Sequence, residues 1–437
     1  MDRKIKLSKL VEAYDSPNSN YKAINGSLLA RFLICSIIIF SGIALLASCS
    51  NLEWEETGYT PPPPMQIDTR PVAVGSHFIL MENGELWAWG RRTRPLLDNP
   101  FDHYLAPTKL MTDVVSVSGG SVHTAVIKSD STLWTWGENF LGQLGTGERA
   151  PGYGRLGLTH AYDMENVVSV HASSSQTFAI TSCGTLWGWG ANFDARLGDR
   201  AEEEILEARG GDIVIVPVPL LENVIAMDSG AHAVAIKYDN TLWAWGDNRN
   251  SNFGNGTRGR NQYPPVQIME DVIAVSVAWN HTFAITSNGE LWAWGTNGSG
   301  QIGDGTTRTR RRPVHIMDDV ISVSASSSHT LAITSDGVLW AWGGNSVGAL
   351  GNGTMIAERS PIKIMENVVY AYAANGFSVA ITADGGVWAW GRNSFDSRSS
   401  ALGIGTGRGA WEQGPNNRGE TGSAWLYPVQ IMEYVAF

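Results

Sequence analysis

Short stretches in which apolar and polar residues alternate recur along the chain from about residue 70 to residue 437. Each stretch has the length of a β-strand, is rich in β-branched and aromatic residues, and is bounded by turn residues. The clearest unit, Pro265–Gly303, contains four of them, at 265–271, 272–277, 280–286 and 290–295. The pattern therefore predicts four short antiparallel strands per unit.

The tetrapeptide Trp-x-Trp-Gly marks each unit and occurs seven times. The pairs are Trp87/Trp89, Trp134/Trp136, Trp187/Trp189, Trp243/Trp245, Trp292/Trp294, Trp340/Trp342 and Trp388/Trp390. Successive first tryptophans lie 47, 53, 56, 49, 48 and 48 residues apart, a period typical of repeat units that stack on their neighbours. The longest gap contains the acidic segment 199–212, in which we expect a short helix.

Residues two apart on a strand share a face, so both indoles of a pair point the same way. Each indole can bury about 150–250 Å² between adjacent sheets. A four-stranded sheet cannot cover both of its own faces, whereas seven sheets arranged radially cover each other. The predicted fold is all-β: a seven-bladed β-propeller of four-stranded antiparallel blades over residues 70–437.

A proline seven residues before a valine suggests how the ring closes. It occurs in six units, at Pro107, Pro217, Pro265, Pro313, Pro361 and Pro428. Pro428 is followed by only nine residues, and no matching segment precedes Trp87. We therefore predict that the last residues supply the missing strand of the first blade, so that N- and C-terminal segments pair and close the ring.

The charge and the cysteines exclude several classes of function. Residues 1–48 carry six Lys/Arg and three Asp/Glu, which leaves 25 basic and 39 acidic residues and a net charge near −14 for 49–437. Such a surface repels phosphate backbones, so we expect no nucleic-acid partner. The three cysteines, Cys35, Cys49 and Cys183, provide neither a zinc ligand set nor a disulfide framework. We expect no metal and no cofactor, and we interpret Cys183 as a tolerated turn variant.

The N-terminal region predicts export and anchoring. Residues 32–47 form an apolar run of the length of a signal-peptide core within a leader at 1–48. The run ends in Leu-Ala-Ser-Cys49, which resembles the lipobox of bacterial lipoproteins and implies a lipid on Cys49. Residues 49–69 are polar, with four consecutive prolines, and predict an extended tether. We expect a membrane-anchored protein of the cell envelope, facing out of the cytoplasm; an uncleaved single-pass anchor and simple secretion are the alternatives.

The units resemble those of the regulator of chromosome condensation repeat family. The resemblance is carried by His281-Thr282, Asn288-Gly289, Trp292-Ala293-Trp294-Gly295, Asn297 and Gly300-Gln301-Ile302-Gly303, and it extends over about 70–437. It implies the same propeller fold. Gln176 and Phe377 replace the histidine that stands eleven residues before the first Trp in other units. That scatter favours a structural hydrogen-bonding role for the histidines over catalysis.

The resemblance does not carry over the activity of the family's eukaryotic founder, an exchange factor for the small GTPase Ran. An exported protein has no access to that partner, so we expect no small GTPase and a monomer. The favoured hypothesis is a membrane-tethered, non-catalytic binding or scaffold propeller that recognises a protein or glycan through its loops. Candidate contacts are the aromatic residues that the repeat does not require: Phe140, Phe193, Trp279, Trp411, Trp425 and Tyr104. The alternative is an extracytoplasmic hydrolase, although the sequence contains no recognisable catalytic motif.

Overall fold

Strands make up the regular secondary structure in the computed structural model, which describes residues 65–67, 69–75, 78–88, 108–150, 154–161, 164–198, 205–208, 211–259, 262–393 and 423–434. These residues belong to a unit that spans Pro61–Phe437. Among them, no helix has the length and apolar character needed to cross a membrane. The leader, the tether and Cys49 lie outside the described residues.

Thirty strands fall within the described residues and form seven sheets, the blades of the propeller. The first of the thirty, the short strand β1 (Met65–Ile67), precedes blade 1 in the chain. Blade 1 contains β2 (Pro71–Val74), β3 (Phe78–Met81), β4 (Leu86–Ala88) and β5 (Thr108–Met111). Blade 2 contains β6 (Val114–Gly119), β7 (His123–Lys128), β8 (Leu133–Glu138) and β9 (Arg155–His160). Blade 3 contains β10 (Val167–Ala172), β11 (Gln176–Thr181), β12 (Leu186–Ala191), β13 (Ile205–Ala208) and β14 (Gly211–Leu221).

The remaining blades repeat the arrangement. Blade 4 contains β15 (Val224–Ser229), β16 (His232–Lys237), β17 (Leu242–Gly246) and β18 (Gln262–Met269). Blade 5 contains β19 (Val272–Val277), β20 (His281–Thr286), β21 (Leu291–Gly295) and β22 (Arg310–Met317). Blade 6 contains β23 (Val320–Ala325), β24 (His329–Thr334), β25 (Leu339–Gly343) and β26 (Glu358–Met365). Blade 7 contains β27 (Val368–Ala373), β28 (Phe377–Thr382), β29 (Val387–Asn393) and β30 (Ser423–Tyr434).

The paired tryptophans lie between neighbouring blades, as the strand alternation predicts. In the six blades where the second indole is described, it is at most 3 % exposed. Trp342 and Trp340 of blade 6 pack in one apolar cluster with Phe283 and Ile285 of blade 5. The Trp342 Nε1–H also donates to the Gln301 carbonyl of blade 5, at 2.9 Å. Each indole pair therefore covers the face of the preceding blade.

The ring closes by pairing of the terminal segments, but the predicted assignment of the last strand is wrong. Strand β30 pairs antiparallel with β29 and is the outer strand of blade 7. Blade 1 takes all four of its strands from 71–111. The terminal contact is instead a parallel pairing in which Met65 faces Met432. The error arose because each Pro-x-x-Ile-Met segment completes the blade before it, so one sequence repeat spans parts of two blades.

The acidic segment of the longest gap also differs from expectation. Strands β13 and β14 pair antiparallel there, with Glu207 opposite Asp212. The described part of the segment is thus a β-hairpin that extends blade 3, and the predicted helix is wrong. The β-branched run Ile213-Val214-Ile215 favours strand over helix, and Gly190 and Ala191 of β12 provide its pairing partners.

Candidate functional site

The two ends of the propeller carry different connections. At one end, which we call the loop face, connections join the first strand of a blade to the second and the third strand to the fourth. In blade 5 these connections are residues 278–280 and 296–309. At the other end, the turn face, tight hairpins join the second and third strands. In blade 5 that hairpin has Gly289 at φ +84°, where a side chain would be strained. The variable connections therefore gather at the loop face.

Trp279 is the predicted contact residue that the structure displays most openly. It follows β19 on the loop face and is 56 % exposed, whereas the described second tryptophans of the repeats are buried. Its carbonyl accepts the Ala231 N–H at 2.9 Å, which fixes this loop against the corresponding loop of blade 4. At Gly230 an added Cβ would stand 2.1 Å from the Ala278 carbonyl oxygen. The loop is thus held rigidly by its neighbour while the indole faces solvent.

Phe140 and Phe193 occupy equivalent turns after the Trp-Gly of blades 2 and 3. Phe193 is 44 % exposed, and Phe140 is half-buried. The Phe140 carbonyl accepts a hydrogen bond from Arg149 Nε at 2.9 Å. Both residues lie on the loop face with Trp279, but on different blades.

Trp425 differs from the exposed loop position expected for it. It lies on β30 opposite Gly391 and is 6 % exposed. The start of β30 packs against the blade 6 loop, since a Cβ on Gly348 would meet the Trp425 carbonyl at 3.1 Å. Tyr104 and Trp411 lie outside the described residues.

A funnel of about 640 Å³ opens on the loop face and continues between the innermost strands. All seven blades contribute to its lining. The fifth residue of the innermost strand recurs at one level of the lining, as Ser118, His171, Asp228, Ser276, Ser324 and Tyr372 in blades 2 to 7. The repeat pattern does not predict this ring, because its members come from different blades and meet only when the blades stack.

The three serines of this level link neighbouring blades. Ser118, Ser276 and Ser324 each accept, through Oγ, a backbone N–H of the next blade, from Ala172, Ala325 and Ala373 at 2.9, 3.0 and 2.9 Å. Asp228 does the same with the Val277 N–H, at 2.6 Å. His171 departs from the pattern and places Nδ1 3.3 Å from Asp228 Oδ1. Burial raises the pKa of Asp228. The neighbouring His171 and two backbone N–H donors partly offset this shift.

Three of the repeated histidines link neighbouring blades through hydrogen bonds. Nε2 of His123, His232 and His329 lies 2.7, 2.7 and 2.9 Å from the hydroxyls of Thr177, Thr282 and Ser378 in the next blade. Burial lowers the pKa of His232 and His281 to about 3 and of His329 to about 4. His232 and His329 are therefore neutral links between blades at physiological pH.

Two surface features do not belong to the funnel. Glu290, His315 and Asp318 place ligand atoms within 4.8 Å of one another, but the Glu290 carboxylate accepts the Trp292 Nε1–H and His315 is paired with Asp318 at 2.9 Å. Cys183 is exposed, and hydrogen bonds with the Thr181 and Thr185 hydroxyls lower its pKa to about 7. Neither feature continues into the loop face.

Comparison with known proteins identifies the repeats. A family model described as the Regulator of chromosome condensation (RCC1) repeat matches 239–285, 288–333 and 336–381. A second model of the same description matches 114–143, 272–301, 320–349 and 375–396. Each match of the first model begins in the hairpin between the second and third strands of a blade. One sequence repeat therefore spans parts of two blades, which agrees with the position of β30 in blade 7.

The chain spans half or less of the length of the curated relatives named here, whereas one solved structure matches it over most of its length. The probable E3 ubiquitin-protein ligase HERC6 of Homo sapiens is 30 % identical over 213 residues, which is 46 % of this chain and 20 % of HERC6. The ultraviolet-B receptor UVR8 of Arabidopsis thaliana is 27 % identical over 229 residues, 49 % of this chain and 50 % of the receptor. The structure of Prp20p from Saccharomyces cerevisiae matches with a TM-score of 0.64 at 18 % identity, over 82 % of this chain and 87 % of Prp20p. At that identity the structural likeness shows the fold.

Proposed function

We propose that this chain, which carries regulator of chromosome condensation repeats and folds as a seven-bladed β-propeller, is a non-catalytic binding module that recognises a protein through its loop face. The observation that carries the proposal is Trp279, an indole 56 % exposed at the mouth of a funnel of about 640 Å³. Exposed aromatic anchors beside a concave surface are enriched at protein-binding sites. The repeat does not require an indole there.

We also propose that the propeller is held at the cell envelope by a lipid on Cys49. The support is the sequence alone: an apolar core at 32–47, the lipobox-like Leu-Ala-Ser-Cys, and a proline-containing tether at 49–69. Metabolic labelling with a palmitate analogue should mark the wild-type chain and not Cys49→Ala. Equal labelling of both chains would refute lipidation at this residue.

Differential capture tests the binding proposal. The full-length chain, Trp279→Ala and Tyr238→Ala are biotinylated, and proteins retained from the source cells and their surroundings are quantified by mass spectrometry. Tyr238 is a matched control because it is also 56 % exposed but lies in a turn-face hairpin of blade 4. We expect a set of proteins that is lost with Trp279→Ala and kept with Tyr238→Ala. Retention of every protein by Trp279→Ala would refute the loop-face assignment, and loss after enzymatic deglycosylation would identify a glycan as the ligand.

A hydrolase with its active site on the loop face is the second candidate. The observation that favours it is the His171–Asp228 pair, because a histidine oriented by a carboxylate is part of many nucleophilic active sites. Against it, the buried Nε2 of His171 has no hydrogen-bond partner among the described residues, so no serine hydroxyl is placed for activation. The names of relatives such as HERC6 give no ground for ligase activity here, since the match spans 20 % of that protein. Turnover of peptide or glycoside substrates by wild type and not by His171→Ala would establish the hydrolase.

A further inference from the structure

The funnel carries one charge that the fold does not need. At the same level of three other blades, a serine hydroxyl accepts the N–H of the next blade at 2.9–3.0 Å. In blade 4 that backbone bond is made by the carboxylate of Asp228, with Val277 as donor. Because serine satisfies the architecture, the negative charge of Asp228 is additional to the structural requirement.

The Asp228 carboxylate accepts two backbone N–H groups and lies 3.3 Å from His171 Nδ1, but among the described residues no lysine or arginine pairs with it. Of the described residues that line the funnel, Asp228 is the sole carboxylate, and none is lysine or arginine. The guanidinium of Arg196, behind the loop that follows Asp228, donates to the Gly230 carbonyl and pairs with Asp194 at 3.4 Å. A half-buried carboxylate that has a histidine but no permanent cation beside it loses hydration and leaves room for a cationic ligand.

The remaining walls suit an organic cation. Trp279 stands on the blade next to Asp228, on a loop that packs against Gly230 and Ala231. Tyr370 and Tyr372 line the funnel from blade 7. Aromatic faces attract cations, and a planar guanidinium can both stack on an indole and donate to a carboxylate. The funnel, at about 640 Å³, has room for such a side chain.

We propose that the funnel binds the guanidinium of an arginine side chain presented by a protein partner, with Asp228 as counter-ion and Trp279 as the aromatic wall at the entrance. This inference rests on the proposed loop-face binding function and adds the chemical class of the group that is recognised. The net charge near −14 over residues 49–437 also favours a partner with a positively charged surface.

The test compares a pentapeptide that has one central arginine with the same peptide containing citrulline, its neutral isostere, by calorimetric titration of the full-length chain. We expect the arginine peptide to bind about tenfold more tightly, the size of one charge-assisted contact. Asp228→Ser, the residue type of blades 2, 5 and 6, should remove the preference, and Asp228→Asn should do the same. Trp279→Ala should weaken the arginine peptide several-fold.

Controls separate this proposal from the one on which it rests. Asp239→Ser removes a carboxylate from the turn face of the same blade and should leave binding unchanged. Free arginine serves as a second probe. If free arginine binds more tightly than the peptide, the ligand is a small molecule and the proposal of a protein partner is refuted. Equal affinity for the two peptides, or an unchanged preference in folded Asp228→Ser, would overturn the cation site. In that case, continued loss of captured proteins with Trp279→Ala would leave the loop-face function standing.

Discussion

The last glycine of the Gly-Gln-Ile-Gly loop offers a direct test of how neighbouring blades determine the repeat. Gly303 has φ +89°, and a Cβ there would stand 2.6 Å from Nε1 of the fully buried Trp342 in the next blade. Alanine in this region of φ costs about 1–2 kcal/mol. The contact with Trp342 adds about 1–3 kcal/mol, as for overpacking elsewhere in protein cores. We expect Gly303→Ala to lower the free energy of unfolding by about 2–5 kcal/mol.

Two glycines in the same loop separate these contributions. Gly305 has φ +79° but its nearest neighbour would be Ser360 Oγ at 3.7 Å, so Gly305→Ala should cost the conformational part alone, about 1–2 kcal/mol. Gly298 has neither a positive φ nor an atom within 4 Å of the added Cβ. Gly298→Ala should therefore change stability by no more than about 0.5 kcal/mol.

Urea unfolding followed by tryptophan fluorescence provides the measurement, with the midpoint and the slope compared for each variant. The excess cost of Gly303→Ala over Gly305→Ala reports the contact with Trp342. In a Trp342→Leu background, that excess should largely disappear, because the clashing ring is gone. If Gly303→Ala is no less stable than Gly305→Ala, the contact between the blades does not explain the glycine.

Three further outcomes follow from the structure. Burial lowers the pKa of His232 and His281 to about 3 and of His329 to about 4, below the usual 6.5. As the pH falls through 6.5, the unfolded chain therefore binds more protons than the folded chain, and stability is lost. The urea midpoint should drop between pH 7.5 and 5, and it should drop less steeply in His232→Gln. Ending the chain at residue 422 removes β30 and should abolish the cooperative thermal transition seen by calorimetry. Starting it at residue 69 removes, of the described strands, β1 alone and should lower the melting temperature by a few degrees. Equal effects of the two truncations would contradict the strand assignment. Cys183 should react with iodoacetamide with a midpoint near pH 7, and Thr181→Val should move that midpoint upwards, because the hydroxyl hydrogen bond is the largest cause of the lowered pKa.

Most of the architecture could be predicted from the sequence, because the same pattern of strands and tryptophans occurs seven times. Alternation gave the strands, and the Trp-x-Trp spacing placed both indoles on one face. The boundary between units was not accessible, since a periodic pattern can be divided at any point. The segment around Pro428 was therefore assigned to blade 1, although its pairing partner is β29 of blade 7.

The candidate site was accessible only in part. Trp279 was identified because it departs from the repeat within a loop, and the structure exposes it at the funnel. His171 and Asp228 also depart from the repeat, but they lie in strands and not in a variable loop. A comparison of the fifth residue of every innermost strand would have revealed them, since serine is the commonest residue at that position.

Local sequence thus determined the four strands of each repeat unit and the face on which each indole lies, because these depend on residues close together in the chain. The tertiary structure decided which strand completes which blade, why Gly303 must lack a side chain, and which polar groups meet in the funnel. His171 and Asp228 are 57 residues apart in the sequence yet lie 3.3 Å apart. The stacking of neighbouring blades brings such residues to one level, because every blade needs a neighbour to cover its apolar face.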